Sequence, residues 1–177
     1  MLPQAEPVSD SQAMVVCDAR AFAEDVAAEV QRQAAMLSRE VFVADSLSHS
    51  RIIVFDGREQ MVDFANMYAA EHLIVMMRDA WSVVDRITAA GSVFVGAYSP
   101  ESAGDYASGT NHTLPTSGWA HSCSGVNIDS FMRKMTIQEL SREGLAALAP
   151  TIIAMADAEG LQAHAEAVKV RMNETVK

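Results

Sequence analysis

Two adjacent residues near the middle of the chain, Glu71 and His72, could carry out acid–base chemistry. A carboxylate and an imidazole are both common general acids and bases. Because neighbouring side chains point in different directions, the pair cannot share one proton, but each could serve a separate transfer at a common cavity. The alternative is a polar junction in which His72 caps the end of the preceding helix.

A second group of such residues lies in the segment 98–116. Its two Pro, its two Gly and its run of Ser, Thr and Asn predict a loop rather than a helix or a strand. The segment carries Glu101, Asp105 and His112, which could coordinate a metal or move a proton. A loop of this length is often functional, and the alternative is a surface connection with polar side chains.

Alternating apolar segments would position these residues. Short apolar runs predict strands, and helical spacing of apolar residues predicts helices between them: strands at 13–17, 51–55, 73–76 and 92–95, and helices at 19–37, 59–68 and 79–89. Asp18 is expected to cap the first helix, and residues 1–12 are expected to be extended. This alternation indicates an α/β fold with a mainly parallel sheet, in which ligands collect at the carboxyl ends of strands. The segment 98–116 follows such an end, so we expect the site there.

The C-terminal part of the sequence predicts helices alone. After a short helix near 129–134, Ser141 begins a helical stretch to about residue 158, Gly160 interrupts it, and 161–172 is helical again. The last two helices could fold back as a hairpin or form one kinked rod. Since neither has an obvious partner in the sheet, we expect a dimer through their apolar surface. The predicted domains are an α/β domain at 1–125 and a helical dimerisation tail at 126–177.

Composition argues against several classes of protein. The formal charge of −10 disfavours nucleic acid and anionic membranes as partners. Two cysteines, Cys17 and Cys123, are too few for a disulfide framework or a zinc knuckle. No apolar run is long enough to cross a bilayer, and the first residues lack the pattern of a signal peptide. We therefore expect a cytoplasmic protein.

Several of these stretches also resemble a known family. The sequences Gly-Asp-Tyr at 104–106, Gly-Thr-Asn-His at 109–112 and Leu-Pro-Thr at 114–116 are similar to the signature segment of histidinol dehydrogenase. The resemblance extends to four further stretches, and so to nearly the whole chain: 71–73, 90–96, 135–141 and 158–164. The family's chains are more than twice as long, and this sequence resembles only their C-terminal part.

The resemblance implies an oxidoreductase of histidine biosynthesis, which converts L-histidinol into L-histidine in two NAD-dependent steps. It implies a zinc ion that positions the substrate. The fold implied is an incomplete Rossmann-like parallel sheet with flanking helices, and a C-terminal helical tail swapped between the subunits of a homodimer. By this resemblance Glu71 activates water, and His72 takes protons from the alcohol.

The other functional residues of the family also map onto positions of this sequence. The substrate contacts of the family correspond to His72, Glu101, His112 and Glu159. Its zinc ligands correspond to Gln4, Asp105 and His164. In the family, the residues that correspond to Glu159 and His164 are delivered into the partner subunit's site.

The sequence departs from the family at two positions and lacks one part. Pro7 stands where the family has a zinc-binding His, and proline has no side-chain donor atom. Ala70 stands where the family usually has Pro before the Glu-His pair. The NAD-binding domain belongs to the part of the family that this sequence does not resemble, and no Gly-rich phosphate-binding loop replaces it.

We therefore expect a truncated histidinol dehydrogenase-like protein that folds and dimerises, binds zinc weakly or not at all, and is inactive alone. One alternative is half of a working enzyme that is completed by a separate N-terminal piece, although Pro7 counts against it. The other is a regulatory module that binds an imidazole compound, such as histidinol or histidine, or a metal, or that pairs with a full-length subunit.

Overall fold

The computed structural model of the chain describes residues 1–38 and 40–173. The chain forms two compact units, Met1–Phe131 (unit 1) and Met132–Lys177 (unit 2). Unit 1 contains six helices and four strands within the described residues: α1 Leu2–Ala5, β1 Met14–Cys17, α2 Arg20–Ala34, α3 Glu40–His49, β2 Arg51–Val54, α4 Arg58–Tyr68, β3 His72–Val75, α5 Trp81–Val84, β4 Ser92–Val95 and α6 Glu101–Tyr106. Two 3₁₀ turns follow at Trp119–His121 and Ile128–Phe131.

The strands pair in parallel, as the alternation of strands and helices predicts. β1 pairs with β2, from Met14 opposite Arg51, and β3 pairs with β4, from His72 opposite Ser92. Parallel neighbours need a crossover connection, and helices provide it in both pairs. The four strands nevertheless form two separate two-stranded sheets rather than one. The α/β class is confirmed.

A cluster of buried apolar side chains lies around β3. Val62, Val75, Ala80 and Val83 are buried together. Partly buried apolar residues pack around them, among them Leu73 of β3 and Ile87, which follows α5. Full burial of a valine side chain contributes about 1.5–3 kcal/mol, so this cluster fixes β3 against α4 and α5.

Two segments predicted as irregular contain helices. Residues Leu2–Ala5 form the helical turn α1, with Pro in its first turn and Ala5 fully buried. The segment 98–116, predicted as a loop, contains α6. Pro100 is the extended N-cap of α6 and Glu101 is the acidic residue of its first turn, both of which favour a helix start. The prediction of a continuous loop was therefore wrong.

Two other segments also differ from the predictions. α3 was not predicted, because its buried polar residue Ser46 hides the apolar pattern; its hydroxyl donates to the carbonyl of Ser11. The helix predicted at 79–89 ends at Val84, because the side chain of Asn66 donates to the carbonyl of Arg86 and accepts from the amide of Thr88.

Two predictions about helix starts were also inaccurate. Asp18 does not cap α2: the N-cap is Ala19, and no side chain bonds there. The short helix predicted at 129–134 is the 3₁₀ turn at Ile128–Phe131.

Unit 2 consists of the helices α7, Arg142–Ala158, and α8, Gln162–Asn173. The hydroxyl of Ser141 accepts from the amide of Gly144 and caps α7. Between the helices Gly160 has a positive φ of 72°, which favours glycine. The guanidinium of Arg142 donates to the carbonyl of Met172, so the start of α7 lies beside the end of α8. The two helices therefore form a hairpin.

Within residues 1–38 and 40–173, no helix combines the length and the apolar character needed to span a bilayer.

Candidate active site

His72, the first residue of β3, is the centre of a polar cluster in unit 1. The carboxamide oxygen of Gln4 lies 3.2 Å from its Nδ1. A carboxamide oxygen only accepts hydrogen bonds, so Nδ1 carries the proton in this arrangement. In the neutral ring the other nitrogen, Nε2, is then unprotonated. With this hydrogen bond made, Nε2 is the nitrogen of His72 that can accept a proton.

The second nitrogen of His72 faces a carboxylate. Nε2 lies 3.5 Å from Oδ1 of Asp105, within ion-pair range, but the two atoms do not form a hydrogen bond. Nε2 is buried and has no hydrogen-bond partner among the described residues. Leaving a buried polar atom unpaired costs about 1–3 kcal/mol, so such an atom in a folded protein calls for an explanation. One explanation is that Nε2 accepts a proton from a substrate when a substrate is bound.

Asp105 reaches His72 because α6 packs across β4. A Cβ on Gly104 would lie 2.7 Å from the ring of Phe94 and 2.7 Å from the hydroxyl of Thr110. Only glycine therefore fits between α6 and the buried ring of Phe94. The same ring lies 5.8 Å from the imidazole of His72, centroid to centroid. Phe94 thus supports both halves of the His72–Asp105 contact.

The backbone around Glu71 is fixed from the start of β4. The carbonyl of Glu71 accepts from the amide of Ser92 at 2.9 Å, and the carbonyl of Ala70 accepts from the amide of Gly91 at 2.9 Å. A Cβ on Gly91 would lie 2.6 Å from the carbonyl oxygen of Glu71, so a side chain has no room there. The cluster therefore forms at the amino ends of β3 and β4. The expected position at the carboxyl end was wrong, because the chain that leaves β4 packs back across Phe94.

Glu101, at the start of α6, is buried with 6% of its surface exposed. Burial lowers the pKa of the Met1 amino group, and the negative charge of Glu101 acts in the opposite direction. Glu101 therefore lies near the amino terminus of the chain, one turn of α6 before Asp105.

The sequence profile of histidinol dehydrogenase matches residues 1–172 of the chain. The chain belongs to the histidinol dehydrogenase family.

Individual members of the family agree with this. The chain is 49% identical over all its 177 residues to the histidinol dehydrogenase of Bacteroides fragilis YCH46, of which it covers 41%. It is 50% identical over 98% of its length to that of Escherichia coli K12, of which it covers 40%. The crystal structure of histidinol dehydrogenase from Elizabethkingia anophelis superposes on 97% of this chain and 40% of its own, with a TM-score of 0.92 and 45% identity. The chain thus spans about two fifths of the length of these relatives.

The structure brings together only some of the residues that the histidinol dehydrogenase resemblance singles out. Gln4, His72 and Asp105 are in contact, and Glu71 directly precedes His72 with a partly buried side chain. His112 is exposed. The side-chain amide of the preceding residue, Asn111, donates a hydrogen bond to the carbonyl of Val126. The role predicted for each of these residues stays a prediction.

Glu159 and His164 belong to the other unit. Glu159 is exposed at the C-cap of α7, and His164 is exposed in α8. Their predicted roles, as a substrate contact and a zinc ligand, also stay predictions.

A zinc site of the histidinol dehydrogenase type is incomplete in unit 1. Catalytic zinc takes three protein ligands and a water or substrate. Of the predicted ligands, unit 1 supplies the oxygens of Gln4 and Asp105, which approach different nitrogens of one imidazole. Among the described residues, no three His, Cys, Asp or Glu side chains converge as a metal site. The donor set does not fit zinc as it stands.

Three residues that matter to the cluster were not singled out from the sequence: Phe94, Gly104 and Gly91. Each lies in a stretch that resembles histidinol dehydrogenase, which is the only signal that marked them. Nothing in the local pattern of apolar residues indicates that a glycine of one segment must fit against an aromatic ring of another.

Proposed function

We propose that this chain forms the acid–base part of a histidinol dehydrogenase-type site, with His72 as the proton acceptor, and that it does not oxidise histidinol by itself. The observation that carries the proposal is the convergence of Gln4 and Asp105 on the two nitrogens of His72. Membership of the family supplies the substrate, an alcohol that carries an imidazole and an amine.

The geometry supports a proton transfer at Nε2 of His72. Oxidation of an alcohol removes a proton from its oxygen and a hydride from its carbon, and NAD accepts the hydride when it is bound. The unprotonated Nε2 can accept the proton because Gln4 holds the other hydrogen on Nδ1. The imidazolium that forms is 3.5 Å from the carboxylate of Asp105, and this opposite charge stabilises it. Glu71 can act in the second step, in which water attacks the aldehyde.

Lack of turnover by the chain alone follows from the need to hold the hydride acceptor against the substrate carbon. The resemblance implies that the nucleotide-binding part of the family lies outside this chain, which spans about two fifths of its relatives. Gln4, Glu71 and His72 line one part of a cavity of about 1200 Å³, beside which a substrate would have to bind.

The test combines activity with binding. Purified chain with NAD and L-histidinol should form no NADH above background, whereas calorimetry should detect binding of L-histidinol. The variant His72→Phe should weaken that binding at least ten-fold, and the matched variant His121→Phe, at an exposed imidazole of unit 1, should not. NADH formation by the chain alone, or equal binding by the two variants, would contradict the proposal.

A complemented enzyme is the second candidate, and the open cavity beside His72 favours it. In that case addition of the part of the E. coli relative that this chain does not match should restore NADH formation. An absence of NADH in the mixture would leave the chain as a binding module. Pro7 predicts a low rate even in the mixture, because it supplies no metal ligand.

The zinc part of the proposal has its own test. Restoring an imidazole near Gln4 with Pro7→His should raise the affinity for zinc, because each added ligand completes the donor set. Competition with a zinc-binding dye measures this without any assay of activity. An affinity equal to that of the unchanged chain would show that Gln4 and Asp105 do not hold the metal.

We further propose that the chain is a homodimer in which the α7–α8 hairpin carries Glu159 and His164 to the partner subunit. Large apolar side chains are exposed on this hairpin, among them Leu148 and Met155, and covering them would favour association. Light scattering should give the mass of two chains, and Met155→Glu should lower it to one. A monomer at micromolar concentration would contradict the proposal.

A further inference from the structure

The cavity of about 1200 Å³ in unit 1 runs along the edges of two strands. Its lining includes three consecutive residues from each of β1 and β3, which are Met14, Val15 and Val16, and Leu73, Ile74 and Val75. Consecutive residues of a strand point to opposite faces, so a cavity that touches all three lies beside the strand rather than over one face. Among the described residues, none of β2 or β4 lines it.

The backbone groups along these two edges are not used by the sheets. Carbonyls of Ala13 and Cys17 accept from amides at and after β2. Because alternate residues of a strand direct their N–H and C=O to the same side, those of Met14 and Val16 face away from β2. In β3, the carbonyl of Val75 accepts from Gly96, so the peptide groups of Ile74 face away from β4. Backbone groups of an apolar strand are obligatory hydrogen-bonding groups and pair readily with another strand.

The order of the strands indicates what is missing between the two edges. β1 and β3 border the cavity, β2 lies beyond β1, and β4 lies beyond β3. On each side the strand next to the cavity therefore comes earlier in the chain than its outer neighbour. Doubly wound sheets have this arrangement around their central strand, which comes first in the chain, in the order 3-2-1-4-5. A parallel strand in the cavity would give the order β2-β1-X-β3-β4, with X as the first and central strand.

We propose that the cavity is the seat of a fifth, central parallel strand, supplied by a stretch of histidinol dehydrogenase polypeptide outside these 177 residues. The chain covers only 40–41% of its relatives, so the remaining part of such a protein is the source. The strand is short, since β1 and β3 have four residues each. It is apolar on both faces, as central parallel strands are, and apolar side chains of α2 and α4, such as Val26 and Phe64, also line its seat.

This inference rests on membership of the family and not on the proposed catalytic role of His72, so its test does not use activity. The part of the E. coli K12 relative that this chain does not match is coexpressed with the chain. Hydrogen exchange is then measured amide by amide, in the complex and in the chain alone. We expect a one-to-one complex in which the amides of Met14, Val16 and Ile74 exchange at least ten-fold more slowly. The amides of Val15 and Leu73, which face the existing partner strands, should change little.

A matched pair of proline variants separates this edge from the opposite one. Ile74→Pro removes an amide hydrogen from the edge of β3 along the cavity, and Val93→Pro removes one from the outer edge of β4, while each leaves the β3–β4 bonds in place. Complex formation should weaken at least ten-fold in Ile74→Pro and persist in Val93→Pro. If Ile74→Pro fails to fold, the exchange pattern of the unchanged chain decides alone.

Three results would overturn the proposal. They are no complex at micromolar concentration, a complex without slower exchange at Met14, Val16 and Ile74, or slow exchange at these amides in the chain alone. The last result would mean that a second copy of the chain already fills the cavity.

Discussion

Replacement of His72 by phenylalanine should leave unit 1 about as stable as before or more stable, although it removes the residue to which we assign the proton transfer. The reason is the state of its two nitrogens. Nδ1 has a partner in Gln4, whereas Nε2 is buried without a hydrogen bond among the described residues. Phenylalanine keeps a planar ring next to Phe94 and removes the unpaired atom.

The size of the effect follows from two opposing contributions. Removing a buried, unpaired polar atom should stabilise the folded state by about 1–3 kcal/mol. Losing the bond to Gln4 should cost about 0.5–1.5 kcal/mol. The net change in the free energy of unfolding therefore lies between a loss of about 0.5 and a gain of about 2.5 kcal/mol. A change of 1 kcal/mol corresponds to about 4 °C in Tm for a domain of this size.

The assay is urea denaturation at pH 8, followed by tryptophan fluorescence. The sequence has two tryptophans, Trp81 and Trp119, and both belong to unit 1. The fluorescence therefore reports the unfolding of the unit that holds His72, whatever unit 2 does. His121→Phe is the control, since it makes the same replacement at an exposed imidazole. It removes one exposed contact, with the carbonyl of Met67, which should cost at most about 0.5–1.5 kcal/mol.

A destabilisation of more than about 2 kcal/mol by His72→Phe, relative to His121→Phe, would refute the reasoning. It would mean that Nε2 is protonated and paired with Asp105, because breaking a buried ion pair by removal of one partner costs about 3–5 kcal/mol. His72 would then be a charged structural residue rather than a proton acceptor that awaits a substrate.

Three further predictions concern other parts of the chain. Gly104→Ala should destabilise unit 1 by about 1–3 kcal/mol in the fluorescence assay, because its Cβ would lie 2.7 Å from the ring of Phe94; an unchanged midpoint would mean that α6 shifts freely. Ser141→Ala removes the cap of α7 and should cost about 1 kcal/mol, seen as roughly five-fold faster amide exchange in the first turn of that helix. The guanidinium of Arg32, through its hydrogen bonds, lowers the pKa of Glu29 from its ordinary 4.5 to about 2. The contribution of the ionised Glu29 to the stability of the folded state is therefore present above pH 4.5 and is lost as the pH falls through about 2. A titration of its carboxyl carbon by nuclear magnetic resonance should have its midpoint near 2, and a midpoint near 4.5 would contradict the prediction.

Elements with a strong local pattern were predicted close to their observed bounds. The run Ser92–Val95 is a strand as predicted, and α7 begins directly after Ser141, the residue at which its start was predicted. Such features depend on residues within a few positions of one another, since capping and periodicity are local. Elements that depend on distant contacts were missed. α3 is held by a bond from the hydroxyl of buried Ser46 to the carbonyl of Ser11, 35 residues away, and α6 by the space that Gly104 leaves for Phe94.

The sequence by itself determined the α/β class, most of the strands and helices, and membership of the histidinol dehydrogenase family. It also determined which residue types are available for proton transfer. The tertiary structure alone decided which of them meet: Gln4 and His72 are 68 positions apart, and Asp105 reaches the same imidazole only because the chain returns across β4. It also decided that four strands form two pairs around a cavity. The physical reason is that a local pattern fixes the conformation of a segment, whereas contacts between segments depend on how the whole chain packs.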